Sequence, residues 1–566
     1  MKSKRSLAII IALIMIVTFA LSACGSSTPS TPPTDSGSSG ATDNTATDNT
    51  GSTGDTGAAT AAQIAQAAVD YTAQVQSEIT PGATSSKDTL TFAAVADPGK
   101  ISLDNMLDFT LMPFVGSVVE YFIRYDFEKG EYYSPVCDSF ALDADGQGVT
   151  FNITPGIKMN DGNIFGPSDI LESIQAYRDN SGLGWQLDFV DIPGSKIIDD
   201  TTLDLRFTAP NGVWESGFLM LTLISGKAFL AAKDADTFYQ APIGPQAYDI
   251  TEWVPGDHIT ATAFDGYYKG TPPIKTLVCK IISDSTARFM ALQNGDIDLL
   301  WNISADQVQT AYASDNLKIL MTGQNMMVYL GMNSGNKALS DFRVRQAIML
   351  AVNRQDIIDG AYNGLAYPSN GILTPECIGY DPNSKLPDQD VATAKDLMSQ
   401  AGYGDGLTLR ILAESTINFQ LVTEQLTSQL AEIGITLQPT LTDAATQNAM
   451  IFSGDTTGYD LFLSVAQDAN DSISFIDNPM LFGASHPELS ADGSGAGFEA
   501  IWNQIRQTPD VSQRAPLYKQ ANDYFIQNGL YWIPMCVAQT YVGVNKDLTG
   551  IFRNGINGFF AQAYFR

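Results

Sequence analysis

An α/β fold divided into at least two sheet-bearing lobes is predicted for this sequence, on three observations. The chain has 566 residues, 44% of them apolar, too many for one compact core and enough for sizeable ones. Residues 407–411 alternate with period two. Phe419, Val422, Leu426, Leu430 and Ile433 then mark one face of a helix, Gly434 stands just past its end, and residues 435–437 alternate again. Such a βαβ unit calls for a parallel sheet covered by helices. Residues 287–294, Gly295 and residues 297–301 repeat the helix–strand half of it. A further helix is predicted from about Phe342, with Val344, Ala347, Ile348 and Ala351 on one face. Ser340 or Asp341 can cap it, and Asn353 can cap the helix that follows.

The N-terminus is organised differently. Lys2, Lys4 and Arg5 precede an apolar run over residues 7–21 that ends in Leu21-Ser22-Ala23-Cys24. As a helix this run rises only about 22 Å, short of a hydrocarbon core of about 30 Å, so it reads as a signal peptide (1–23). Its end resembles the bacterial lipobox, which implies lipid attachment at Cys24 and a chain anchored to the outside of a bacterial membrane. Residues 24–60 are Gly, Ser, Thr, Asp, Asn, Pro and Ala apart from Cys24 itself. Nothing there can offset ordering entropy, so a disordered tether with an end-to-end distance of about 30–36 Å is expected. Residues 61–86 are expected to hold a loose helix to which no role is assigned.

Charge and motif content exclude several functions. Lys and Arg number 31 against 62 Asp and Glu, a net charge of −31, which repels phosphate backbones; no nucleic-acid partner is expected. The two histidines, His258 and His486, lie in turn-like segments and belong to no ligand cluster. No P-loop, no G-x-G-x-x-G after a strand and no G-x-S-x-G elbow occurs. No metal, cofactor or catalytic residue is therefore assigned. Cys137, Cys279, Cys377 and Cys536 remain for an oxidising compartment, and their spacing leaves three disulfide pairings open.

Several phrases then add up in order. Residues 340–347 (Ser-Asp-Phe-Arg-Val-Arg-Gln-Ala), Ala351-Val352-Asn353-Arg354 and Asn363-Gly364-Leu365-Ala366-Tyr367-Pro368 resemble a signature of the family 5 extracellular solute-binding proteins. These are the peptide- and nickel-type binding components of ABC importers. Pro155-Gly156-Ile157-Lys158-Met159-Asn160-Asp161-Gly162, residues 242–248 through Trp253 and Asp257, and Asn294-Gly295-Asp296-Ile297-Asp298 are similar to its other segments. So are Ala401-Gly402-Tyr403, Tyr459-Asp460-Leu461 and Arg514 with Leu517-Tyr518. The matches are collinear from about residue 88 to 540.

The resemblance implies a two-lobed, periplasmic-binding-protein-like fold with a ligand cleft between the lobes. The first lobe would span 87–330 and carry an extra subdomain at about 126–240. The second would span 331–535, and 536–566 would return to the first. Crossovers are expected near 329–333 and 533–540. In peptide-binding members an aspartate just past the strand at 459–465 accepts the ligand's ammonium, and Asp468 is the position that fits; Val465 and Ala466 stand where the family has an aromatic. Trp301 and Asn302 follow a strand whose carboxyl end should face the cleft, with core packing the other reading of Trp301, and Asn105 occupies a cleft-side family position. Arg343 and Arg345 lie on opposite sides of their helix, so at least one should be solvated or ion-paired.

The expected function is capture of an oligopeptide-like solute by a monomeric, non-enzymatic binding protein that delivers it to ABC permease and ATPase subunits. An oligosaccharide ligand, a nickel chelate, a carboxylate-based secreted hydrolase and a peptide-sensing receptor stand as the alternatives.

Overall fold

In the computed structural model, the described residues are 59–80, 82–101, 110–126, 131–181, 184–333, 335–443, 446–447, 450–451, 456–467, 494–529, 532–554 and 557–566. The signal peptide, Cys24, the tether up to residue 58, Asn105, Asp468 and His486 lie outside them. The βαβ unit forms as the periodicity predicts. Helix Ile417–Ala431 buries Phe419, Val422, Leu426 and Leu430, Gly434 takes a φ of 82°, and strands Leu407–Glu414 and Ile435–Thr442 pair in parallel. Asp341 caps helix Phe342–Ala351 by accepting from the Arg343 amide, and Asn353 caps Arg354–Tyr362. Arg343 is exposed and ion-paired to Asp341 at 2.6 Å. Arg345 is buried and donates to the Leu339 and Ser340 carbonyls.

One mixed sheet of eleven strands runs through the body. From one edge its order is Tyr248–Val254, His258–Ala263, Thr276–Ile281, Thr89–Ala94, Leu299–Trp301, Trp532–Asn545, Leu317–Met332, Leu461–Gln467, Leu407–Glu414 and Ile435–Thr442; Ala366–Pro368 pairs beside Trp532–Asn545. A separate antiparallel sheet of four strands, Cys137–Leu142, Gly148–Ile153, Thr202–Phe207 and Val190–Ile197, falls within the span expected for the extra subdomain.

The two longest strands join the lobes. Leu317–Met321 pairs with Tyr541–Asn545, whose other neighbour is Leu299–Trp301 in the first lobe. Met326–Gly331 pairs with Trp532–Ala538 and with Leu461–Gln467 of the second. Between these stretches the register slips twice, at Met321/Gly323 and Gly323/Met326, irregularities of the kind that bend a ladder. The first crossover therefore falls several residues before the expected 329–333, while the second, at Ala538–Tyr541, overlaps the end of the expected 533–540. Apart from Val213 in the second-lobe cluster and Leu365 in a first-lobe one, the apolar cores respect this division. One cluster gathers residues from Met326 through Ala538; two others gather Leu90, Phe151, Leu277 and Val542 and Ile64, Val308, Ile319 and Tyr541. Residues Ala58–Arg566 cluster as one compact unit that contains all of these cores.

The helix expected at 61–86 forms over Ala61–Ser77, closed by a capping box between Thr60 and Gln63. It is docked rather than loose. Ile64, Ala68 and Val75 are buried, the Thr72 hydroxyl accepts from the Met321 amide at 2.8 Å, and Glu78 beyond its end is ion-paired with Arg566.

None of the three possible disulfide pairings among Cys137, Cys279, Cys377 and Cys536 is made, and the last three are buried. Burial pushes the Cys137 thiol up to about 12. With no crosslink to lose, the thermal midpoint of residues 58–566 should be the same with and without a thiol reductant. A drop of several degrees in reductant would show that a disulfide contributes to the fold.

Candidate functional site

Ligands of α/β sheets sit outside the carboxyl ends of strands, and the register of the central strands brings two such ends to one place. Trp301 pairs with Val542, and the Ile303 amide donates to the Tyr541 carbonyl, so the first-lobe strand ends beside the crossover. On the other side Gln467, the last described residue of its strand, pairs with Met326, where the same crossover enters the second lobe. Asn302 and Gln467 thus stand near the slipped segment Met321–Met326 from opposite lobes.

Asn302 is exposed and has a φ of 57°, a left-handed conformation that asparagine tolerates better than most residues. It turns the chain sharply from the strand into helix Ala305–Tyr312. Trp301 is 2% exposed and belongs to a first-lobe core cluster. Of its two readings the structure places the ring in packing, because its strand is sandwiched between two neighbours and buried throughout.

The crossover itself carries polar groups that the sequence reading did not single out. Thr322, Gln539 and Thr540 are buried where the two long strands change partners. The Gln539 amide donates to the Tyr367 hydroxyl at 3.1 Å, its carbonyl oxygen accepts from Tyr541, and Thr322 donates to the Thr540 carbonyl at 3.2 Å. Tyr367 is 42% exposed, so this network reaches the surface. Its signal in the sequence was the pair Gln539-Thr540 interrupting a 14-residue buried strand. Beyond strand Leu461–Gln467, at the carboxyl end of Leu407–Glu414, stands Glu414; burial, aided by the charge of Asp443, holds its carboxyl above the ordinary range.

Other features do not belong to this site. An open depression of about 450 Å³ lined by Gly404, Asp405, Leu407 and Thr436 lies at the amino ends of its strands, the wrong end for a ligand. His258 is hydrogen-bonded to Asp257 at 2.6 Å. No group of three or more candidate metal ligands occurs among the described residues, and no helix among them is long and apolar enough to cross a membrane.

Two lobes sharing a pair of crossover strands, with strand ends and polar side chains converging where they meet, define a protein built to hold a solute between its halves. Comparisons with known proteins agree. Residues 131–478 match the model of the bacterial extracellular solute-binding proteins, family 5 middle region. The chain belongs to that family.

It is 25% identical over 428 residues to the glutathione-binding protein GsiB of Pectobacterium atrosepticum, covering 74% of this chain and 82% of that one. Among solved structures, the periplasmic binding protein AgaA from A. tumefaciens R10, in complex with agropinic acid, superposes with a TM-score of 0.73 at 23% identity, covering 84% of this chain and 99% of AgaA. The dipeptide-binding protein of Pseudoalteromonas sp. SM9913, in complex with Met-Leu, superposes with a TM-score of 0.75 at 18% identity, covering 84% and 100%.

Proposed function

We propose that this chain captures a small peptide-like solute, of the size range from glutathione to a short oligopeptide, between its lobes and hands it to the permease of an ABC importer. The relationship to GsiB, which spans most of both chains, carries this reading. Cys24 would hold the protein, as a lipidated monomer, at the outer face of the membrane. Asp468, the residue after Gln467 in the sequence, would accept the ligand's ammonium. A carboxylate suits that task because a desolvated ammonium needs both a counter-charge and hydrogen bonds. Asn302 and Asn105 would contribute polar contacts from the first lobe, with Trp301 supporting Asn302 from the core. The chain catalyses nothing in this reading; ATP hydrolysis is left to partner subunits.

Mass spectrometry of small molecules that co-purify with residues 58–566, followed by calorimetry with glutathione and Met-Leu, tests the proposal. Binding of at least one peptide is expected, and Asp468→Ala should weaken it by roughly 10- to 100-fold, the loss of a charged hydrogen bond. Unchanged affinity would remove Asp468 from the site. Turnover of chromogenic glycosides or peptides would replace the binding reading with a hydrolase.

A further inference from the structure

The lobes touch at a second place, far in sequence from the crossover strands. Strand Thr202–Phe207 of the extra subdomain leads into a short loop that ends at helix Trp214–Phe218. At its tip the Gly212 amide donates to the Arg506 carbonyl, at the end of a second-lobe helix, Ser494–Arg506. The Gly212 carbonyl in turn accepts from the Arg514 guanidinium at 2.6 Å. Arg514 is 1% exposed and also donates to the Thr508 and Pro509 carbonyls of its own lobe. Val213 packs into the second-lobe core, the only residue before Met326 in that cluster among the described residues.

The fit leaves no room at Gly212. A Cβ there would lie 2.5 Å from the Thr508 carbonyl oxygen and 2.7 Å from its carbon, backbone atoms that cannot swing aside. Its φ is outside the left-handed region, so backbone conformation does not demand glycine; the close approach of the other lobe does.

We propose that the Gly212–Val213 tip and the Arg506–Arg514 segment form an interlobe clasp that holds the closed form, so that these residues set ligand affinity without touching the ligand. This rests on the reading of the chain as a two-lobed binder. A ligand's apparent affinity scales with the fraction of molecules able to close, and a backbone hydrogen bond together with a charged one, lost at once, lowers that fraction by roughly tenfold or more.

The test uses residues 58–566 as wild type, Gly212→Ala and Val213→Ala. It combines small-angle X-ray scattering, with and without glutathione or Met-Leu, calorimetry with the same probes and thermal melts. The wild-type profile should fit the clasped structure in at least one condition. Gly212→Ala should expand the particle under that condition and weaken binding about tenfold with little change in melting; Val213→Ala should do the same more mildly and carries the test if Gly212→Ala fails to fold. Scattering and affinity unchanged in both variants overturn the clasp. So does a lowered melting point with no expansion, the mark of a fixed domain seam, and so does a wild-type profile that never fits the clasped form. If neither probe binds the wild type while Gly212→Ala still expands it, the peptide reading falls and the clasp stands.

Discussion

Glu120→Gln should lower the unfolding free energy by about 3–5 kcal/mol, the range seen when one partner of a buried ion pair is removed. Glu120 and Arg124 are ion-paired with side chains only 2% and 7% exposed. The same carboxylate accepts from the Tyr268 hydroxyl at 2.9 Å and the Tyr267 hydroxyl at 3.3 Å, and the Lys269 ammonium stands 3.8 Å away. Neutralising Glu120 removes the negative charge between the buried Arg124 guanidinium and the partly exposed Lys269 ammonium. Burial, against the pull of Glu120 and with the push of Arg124, already holds the Lys269 amine down at about 8.

The pH dependence has a definite sign. Burial pushes the Glu120 carboxyl up, but Arg124, Lys269 and the Tyr268 hydrogen bond together outweigh it and hold the group below the ordinary glutamate range. Its stabilisation is therefore full above the unfolded glutamate value of about 4.3 and is lost as pH falls through the lower folded value. Denaturant melts of wild type and Glu120→Gln should converge only in acid. Equal stability at neutral pH would contradict this account of the cluster.

Trp214→Ala should be comparably damaging, at about 3–5 kcal/mol, and Trp214→Phe should cost far less. The indole is 1% exposed and meets Phe140, Phe151 and Phe218 edge-on at 5.4, 5.6 and 5.8 Å, pairings worth something beyond their buried area. Its Nε1 is buried with no acceptor among the described residues, so phenylalanine keeps most of the packing and removes an unmade hydrogen bond. Calorimetric melts that rank Phe with Ala would mean the nitrogen has a partner after all. Because Phe207 and Trp214 flank the Gly212 tip, 6.3 Å apart, this aromatic cluster is also what holds that tip in place.

The parts of the fold that were legible share one property: their pattern is local. Helix 417–431 announced its buried face through spacing alone, and Gly434 its end through the left-handed turn only glycine takes easily. The crossovers were harder. Residues 317–332 and 532–545 are long apolar strands, and composition does not mark where such a strand changes partners. Polar Thr322, Gln539 and Thr540 did mark it, but a polar residue in a strand reads equally as an edge or a turn. Gly212 follows Pro210-Asn211 and looks like any surface turn; the lobe that crowds it is about 300 residues away. Asp298 read as a strand residue in a family phrase, yet it is a buried anchor accepting from Lys87 and from the Thr91 amide. Contacts between segments distant in the chain leave no periodic trace.

The docked N-terminal helix has a mechanical consequence. Ala61 abuts Gly364, two residues before Ala366, which pairs with Ala538 on a crossover strand, while Thr72 grips Met321 on the other. The described chain therefore begins beside the fulcrum and not on either jaw. An anchor at Cys24 of the kind proposed would pull with almost no lever arm about the axis of rotation, and would leave the balance between the two postures as it is for the protein afloat.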